Sequence, residues 1–102
     1  MNSIIIGTTP TIKYTFSAVS VTDITKAILT IKKGSDILIE RDLTTATVGE
    51  DSISWTLTQQ ETLSIGTSIV RVMCNWLLSD GTRGASNEID IRMEDNHKQE
   101  VI

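Results

Sequence analysis

Apolar and polar residues alternate with a period of two along much of the chain, most cleanly over residues 68–93, SIVRVMCNWLLSDGTRGASNEIDIRM. That pattern predicts two long strands joined at Asp80 and Gly81, a strong hairpin signal. With Asp80 and Gly81 as the central turn residues, Trp76 falls opposite Ala85, Cys74 opposite Asn87, Val72 opposite Ile89 and Val70 opposite Ile91, so one face is nearly all apolar. The other face sets Met73 against Glu88, Arg71 against Asp90 and Ile69 against Arg92, which includes an opposite-charge pair. A slip of one residue would exchange every core side chain for a solvent one, so turn chemistry and alternation specify the strands together.

Further strand signals recur at intervals of roughly ten residues, as in an all-β sandwich or barrel. Residues 11–18 turn Ile12, Tyr14, Phe16 and Ala18 to one side. Residues 26–33 turn Ala27, Leu29 and Ile31 inward, and the chain then reverses into Ile37, Leu38 and Ile39. A strict two-residue loop of Gly34 and Ser35 would pair Leu29 with Glu40. A three-residue loop that includes Asp36 pairs Ile31 with Ile39 and Ala27 with Leu43, and this version, with a bulge, is favoured. Residues 52–57 form another one-sided strand through Ile53, Trp55 and Leu57. After it, Thr58 and Glu61 have the spacing of a capping box, predicting a short helical turn near residues 58–65 that ends at Gly66.

The expected core is Ile12, Tyr14, Phe16, Ala27, Leu29, Ile31, Ile39, Ile53, Trp55, Leu57, Val70, Val72, Cys74, Trp76, Ile89 and Ile91. It consumes most of the apolar content. At 102 residues the chain suits one domain, expected over residues 1–94, followed by a polar, frayed tail over residues 95–102. Ile4, Ile5 and Ile6 are too short a run for a signal peptide or a membrane span, so no export signal is expected.

Nine Lys and Arg against thirteen Asp and Glu give a formal charge of −4. That balance argues against nucleic acid, which needs clustered cations, and against an anionic membrane. One cysteine, Cys74, excludes an internal disulfide and suits a reducing compartment.

Nothing in the sequence assembles a catalytic constellation. The one histidine, His97, lies in the expected tail, and Cys74 lies on an apolar face, where a thiol is quenched. One Cys and one His cannot complete a zinc site. Asp36, Glu40, Asp42, Glu50 and Asp51 lack calcium-loop spacing. Gly81, Thr82, Arg83 and Gly84 precede no helix and read as a hairpin end, not a phosphate cradle. Catalytic residues, metal ligands and cofactors are therefore expected to be none.

The succession of a short β start, IKYTFSA, AILTIKKGSDILIERDL, SISWTLTQQETLSIG and SIVRVMCNWLLSDGTRGASNEIDI resembles the small immunoglobulin-like domains of phage and prophage tail or baseplate proteins, including the N-terminal domain of upper baseplate proteins. The nearest parts are WTLT at 55–58 with the following Gln60, Glu61, Thr62 and Gly66, and the Asp80, Gly81, Thr82 hairpin. Thr67 and Ser68 depart from the family pattern, in which an aromatic often follows the glycine. The resemblance implies an immunoglobulin-like antiparallel β-sandwich of about seven strands. It also implies a non-catalytic assembly role in the virion or bacterial cytoplasm, with other copies or tail and baseplate proteins as partners. Ile28, Leu38, Met73 and Leu77, apolar and on outer faces, are the candidate interface together with Arg83. The alternative is a stand-alone ligand-binding module, for example for carbohydrate, with Trp76 or Arg83 near its contact surface.

Overall fold

A computed structural model of the chain describes residues 2–97. Two sheets face each other. The larger, six-stranded sheet has the order β1-β9-β7-β3-β4, with β8 pairing β7 beyond the end of β9. Its strands are β1 (Asn2–Ile5), β3 (Ile24–Lys33), β4 (Asp36–Asp42), β7 (Ser68–Leu78), β8 (Arg83–Ala85) and β9 (Ile89–Glu94). The smaller sheet is β2-β6-β5, built from β2 (Thr11–Thr15), β6 (Ser52–Thr56) and β5 (Thr47–Val48). Taking β2, β3, β4, β5, β6, β7 and β9 as strands B, C, C′, D, E, F and G places B-E-D against G-F-C-C′, the immunoglobulin order. All pairs are antiparallel except β1 with β9, which is parallel and sets Asn2 beside Ile91 and Ile5 beside Glu94.

Alternation predicts the long β7–β9 register correctly. Val70 faces Ile91, Val72 faces Ile89, Arg71 faces Asp90 and Ile69 faces Arg92. Nearer the turn the expected pairing is one residue out, for Trp76 faces Gly84 and not Ala85. Two backbone bonds, Gly81 N to Leu78 O at 3.0 Å and Leu78 N to Thr82 O at 2.8 Å, close the loop over Ser79, Asp80 and Gly81. Gly81 adopts φ +90° there, the left-handed geometry that a glycine supplies at little cost. Cys74 accordingly meets Ser86 instead of Asn87. Ser86 N donates to Cys74 O at 2.8 Å and Ser86 Oγ accepts from Cys74 N at 2.9 Å. Asn87 and Glu88 then crowd opposite Met73, a bulge that restores the register before Ile89.

At the other hairpin Lys33 faces Asp36, so the loop is the two residues Gly34 and Ser35, with Gly34 at φ +62°. Ile31 nonetheless faces Ile39, because the register shifts past Leu38. The expected pairing is reached by a short loop and a later bulge, not a long loop. Pairing ends with Ile28 opposite Asp42, and Leu43 enters a 3₁₀ turn, Leu43–Thr45, capped by the Asp42 side chain.

The capping box forms. Thr58 Oγ1 accepts from Glu61 N at 3.1 Å, Glu61 Oε1 accepts from Thr58 N at 2.8 Å, and α1 (Gln59–Ile65) follows. Fully buried Thr62 ties this helix to the first loop, donating to Thr8 O and accepting from Gly7 N, each at 2.9 Å. Arg41 Nη1 meets Glu61 Oε1 at 2.8 Å, joining β4 to α1. Trp55 Nε1 donates to Asp42 O at 2.9 Å, joining the two sheets.

Ala27, Leu29, Ile31, Ile39, Ile53, Trp55, Leu57, Val70, Val72, Cys74 and Ile91 are buried as expected. Ile6, Val21, Ile24 and Ile65 join them from segments that the alternation did not mark as core, and Met93 continues the inward alternation of Ile89 and Ile91. Ile12, Tyr14, Phe16 and Trp76 are half-buried against this core, and Ile89 is 38% exposed. Of the expected tail, Asn96 is held to the turn after β1 through Nδ2 donating to Ile6 O at 2.9 Å, His97 is exposed, and residues 98–102 lie outside the described residues.

Candidate functional site

Strand pairing decides which of the candidate residues meet. On the outer face of the larger sheet Lys26 lies opposite Leu77, and Leu77 opposite Arg83. One row along, Ile28 lies opposite Asn75. Ile28, Leu77 and Arg83 therefore share a shallow depression of about 290 Å³, rimmed by Lys26 and Asn75 and closed beneath by Gly84 and Trp76. Met73 is on the same face in the next row, opposite Thr30 and half-buried.

Leu38 does not join them. It is the unopposed residue of the β4 bulge, 40% exposed on an edge strand. The outer face also carries Ile69 at 50% exposure, Ile37 at 57% and Ile5 at 48%, which were not among the candidates. Ile69 was readable from its place opposite Arg92. Ile37 was not, because the Leu38 bulge resets which side of β4 faces out. Nor was Ile5, since three isoleucines in a row give no alternation.

Charges of both signs interleave with these side chains. Arg71 Nη2 donates to Gly34 O at 2.7 Å across β3, and Arg71 Nη1 lies 3.7 Å from Glu88 Oε2. The expected Arg71–Asp90 register holds, but the ion pair goes to Glu88, which the bulge swings toward the guanidinium. Hydrogen bonds from the Thr44 hydroxyl and backbone hold the Asp42 carboxyl below its ordinary range. The backbone and side chain of Thr82 do the same for Asp80.

Each of the four aromatics turns inward. Trp55 is fully buried and meets Tyr14 edge-on, with ring centroids 6.5 Å apart. Trp76 meets Phe16 edge-on at 5.0 Å. These are the favoured geometries for aromatic pairs. Cys74 is wholly enclosed, and burial pushes its thiol up to about 11, leaving it protonated near neutral pH. Among the described residues no group of three or more His, Cys, Asp and Glu is placed to hold a metal ion, and no helix is long and apolar enough to cross a membrane.

No family model matches the chain, and no curated protein matches it.

Proposed function

We propose that this domain is a non-catalytic assembly module of a phage or prophage tail or baseplate-type particle, resident in the virion or the bacterial cytoplasm and working through protein–protein contacts. The observation that carries the reading is the outer face of the larger sheet, where Ile28, Met73 and Leu77 lie beside exposed Ile69 and Ile37 and between Lys26, Arg71 and Arg83. Apolar side chains set among charges on an open sheet suit a reversible protein contact. The partner is another copy of this chain or a neighbouring tail component. The resemblance in segment order supports the same role, as does the immunoglobulin strand order. A sugar-binding role would call for an exposed aromatic platform, whereas Trp55 is fully buried and Tyr14, Phe16 and Trp76 are half-buried against the core.

Sedimentation velocity at micromolar concentration, with incorporation into assembled particles, tests the proposal. Met73→Asp and Leu77→Asp are expected to remove association while the fold persists. A strict monomer whose two variants enter particles normally would overturn it.

A further inference from the structure

Some side chains with an inward-facing pattern remain partly exposed, and several of them surround one opening. Ile12 and Tyr14 on β2, Ile4 on β1 and Ile89 on β9 line a cleft of about 410 Å³ that runs between the two sheets and has Val72 and Ile91 at its floor. The cleft opens along the side where β2 ends one sheet and β1 ends the other. In the immunoglobulin order a first strand lies against the edge that β2 occupies here. Among the described residues β2 pairs only with β6.

The backbone of that edge is ready for a strand. Phe16 N donates to Asp51 O at 2.8 Å and Leu57 N donates to Pro10 O at 2.9 Å, in the register that sets Ile12 against Trp55 and Tyr14 against Ile53. The even-numbered residues of β2 thus turn their backbone groups toward β6. In an antiparallel ladder the alternate residues point the other way, so the N–H and C=O groups of Thr11, Lys13 and Thr15 face the open side.

The other sheet edges carry devices that discourage strand addition. β4 has the Leu38 bulge together with Asp36, Glu40 and Asp42. β5 has two residues and β8 three. On β1, Thr8 Oγ1 caps the Ile5 carbonyl at 2.6 Å. β2 is regular throughout.

We infer that the β2 edge accepts an extended strand from a partner protein, with alternate apolar side chains entering the cleft beside Ile12 and Tyr14 and an acidic side chain set opposite Lys13. Main-chain bonds supply affinity in such β-augmentation, and the alternate side chains supply specificity. A second copy of this chain fits less well, because full overlap of two β2 strands in antiparallel register sets Lys13 against Lys13, and like charges directly opposite are destabilising. This edge is separate from the outer face of the larger sheet, so the two surfaces are tested independently.

The probe is a synthetic peptide, Ile-Thr-Val-Glu-Val-Thr-Ile, whose palindromic sequence offers the same residues in either direction. Amide hydrogen exchange followed by NMR reads the outcome. Saturating peptide is expected to slow exchange at Thr11, Lys13 and Thr15 by about tenfold or more, while Ile12 and Tyr14, already paired to β6, change little. Lys13→Pro removes one outward N–H without touching the β6 ladder and should weaken the peptide by about tenfold or more. Lys13→Glu should weaken it too, with recovery when the peptide's Glu is replaced by Lys. Unchanged exchange at Thr11, Lys13 and Thr15, or peptide-induced shifts confined to the Ile28, Met73 and Leu77 face, would overturn the inference. The second result would leave the outer-face proposal standing.

Discussion

Gly84 lies directly against the indole of Trp76, its cross-strand partner. A Cβ on Gly84 would come within 2.4 Å of Trp76 Cε2 and Nε1. The glycine is required by the ring and not by its own backbone, since its φ is not positive. Gly84→Ala should therefore overpack this corner and cost about 1–3 kcal/mol. Thermal denaturation measures the loss. The double variant with Trp76→Leu should recover part of it, and an unchanged melting temperature for Gly84→Ala alone would contradict this packing.

The two tryptophans should not be equivalent. Trp55 is fully buried and bridges the sheets through Asp42 O, so Trp55→Ala should cost about 3–5 kcal/mol. Trp55→Phe keeps much of the apolar volume but removes the indole donor to Asp42 O, leaving only the longer bond from Thr45 Oγ1 at 3.4 Å, a loss of about 0.5–1.5 kcal/mol. Trp76 is only half-buried, so Trp76→Ala should cost less than Trp55→Ala. Chemical denaturation of the three variants gives the order.

Thr62 serves two backbone groups at once. Thr62→Val preserves shape while leaving Gly7 N and Thr8 O unserved, and about 1–3 kcal/mol should be lost. Hydrogen exchange should report the change first at Gly7, far along the chain from the mutated residue.

Arg71 offers a test of the bulge. An Arg71/Glu88 double-mutant cycle should yield a small coupling, about 0–1 kcal/mol for an exposed pair, whereas Arg71/Asp90 should yield none. Absence of coupling between Arg71 and Glu88 would mean that the bulge does not bring Glu88 to the guanidinium.

Stability should decline on the alkaline side. Burial raises the Cys74 thiol from 9.0 to about 11 and also raises the Tyr14 hydroxyl. Between pH 9 and 11 the unfolded thiol gives up its proton before the folded one does, so alkali favours unfolding. The Cys74 contribution is complete below pH 9 and lost as pH rises toward 11. Denaturant titrations across that range should fall more steeply for the native chain than for Cys74→Ala. On the acid side the lowered carboxyls of Asp42 and Asp80 act in the opposite sense, stabilising above the ordinary carboxylate range and ceasing to do so as pH drops through their folded values.

Much of this architecture was legible because period-two alternation and capping chemistry are local. Residues 70–72 and 89–91 pair as the alternation predicts, and Thr58 and Glu61 make both bonds of their box. Bulges were harder to read, because an inserted residue such as Leu38, or the pair Asn87 and Glu88, changes the count without a compositional mark. Contacts between distant segments were hidden as well. Ile6, Val21 and Ile65 are buried through tertiary placement, and the parallel union of β1 with β9 leaves no signal in either strand. Ile28, Met73 and Leu77 could be assigned to outer positions from sequence, whereas Arg83 reaches that face only through the one-residue shift that sets it opposite Leu77. The convergence of Ile28, Leu77 and Arg83 at one depression could not be read there, since it depends on β3 and β8 flanking β7.

The parallel pairing of β1 with β9 also governs how the domain bears mechanical load. Tension that draws the start of β1 away from the end of β9 acts along both strands in opposite senses. The ladder from Asn2–Ile91 to Ile5–Glu94 is then sheared as a unit, together with the bonds of Ile6 N to Glu94 O and Asn96 Nδ2 to Ile6 O. An antiparallel pair pulled open from one end would yield bond by bond. This sandwich is built to rupture all at once, at a force set by the whole seam.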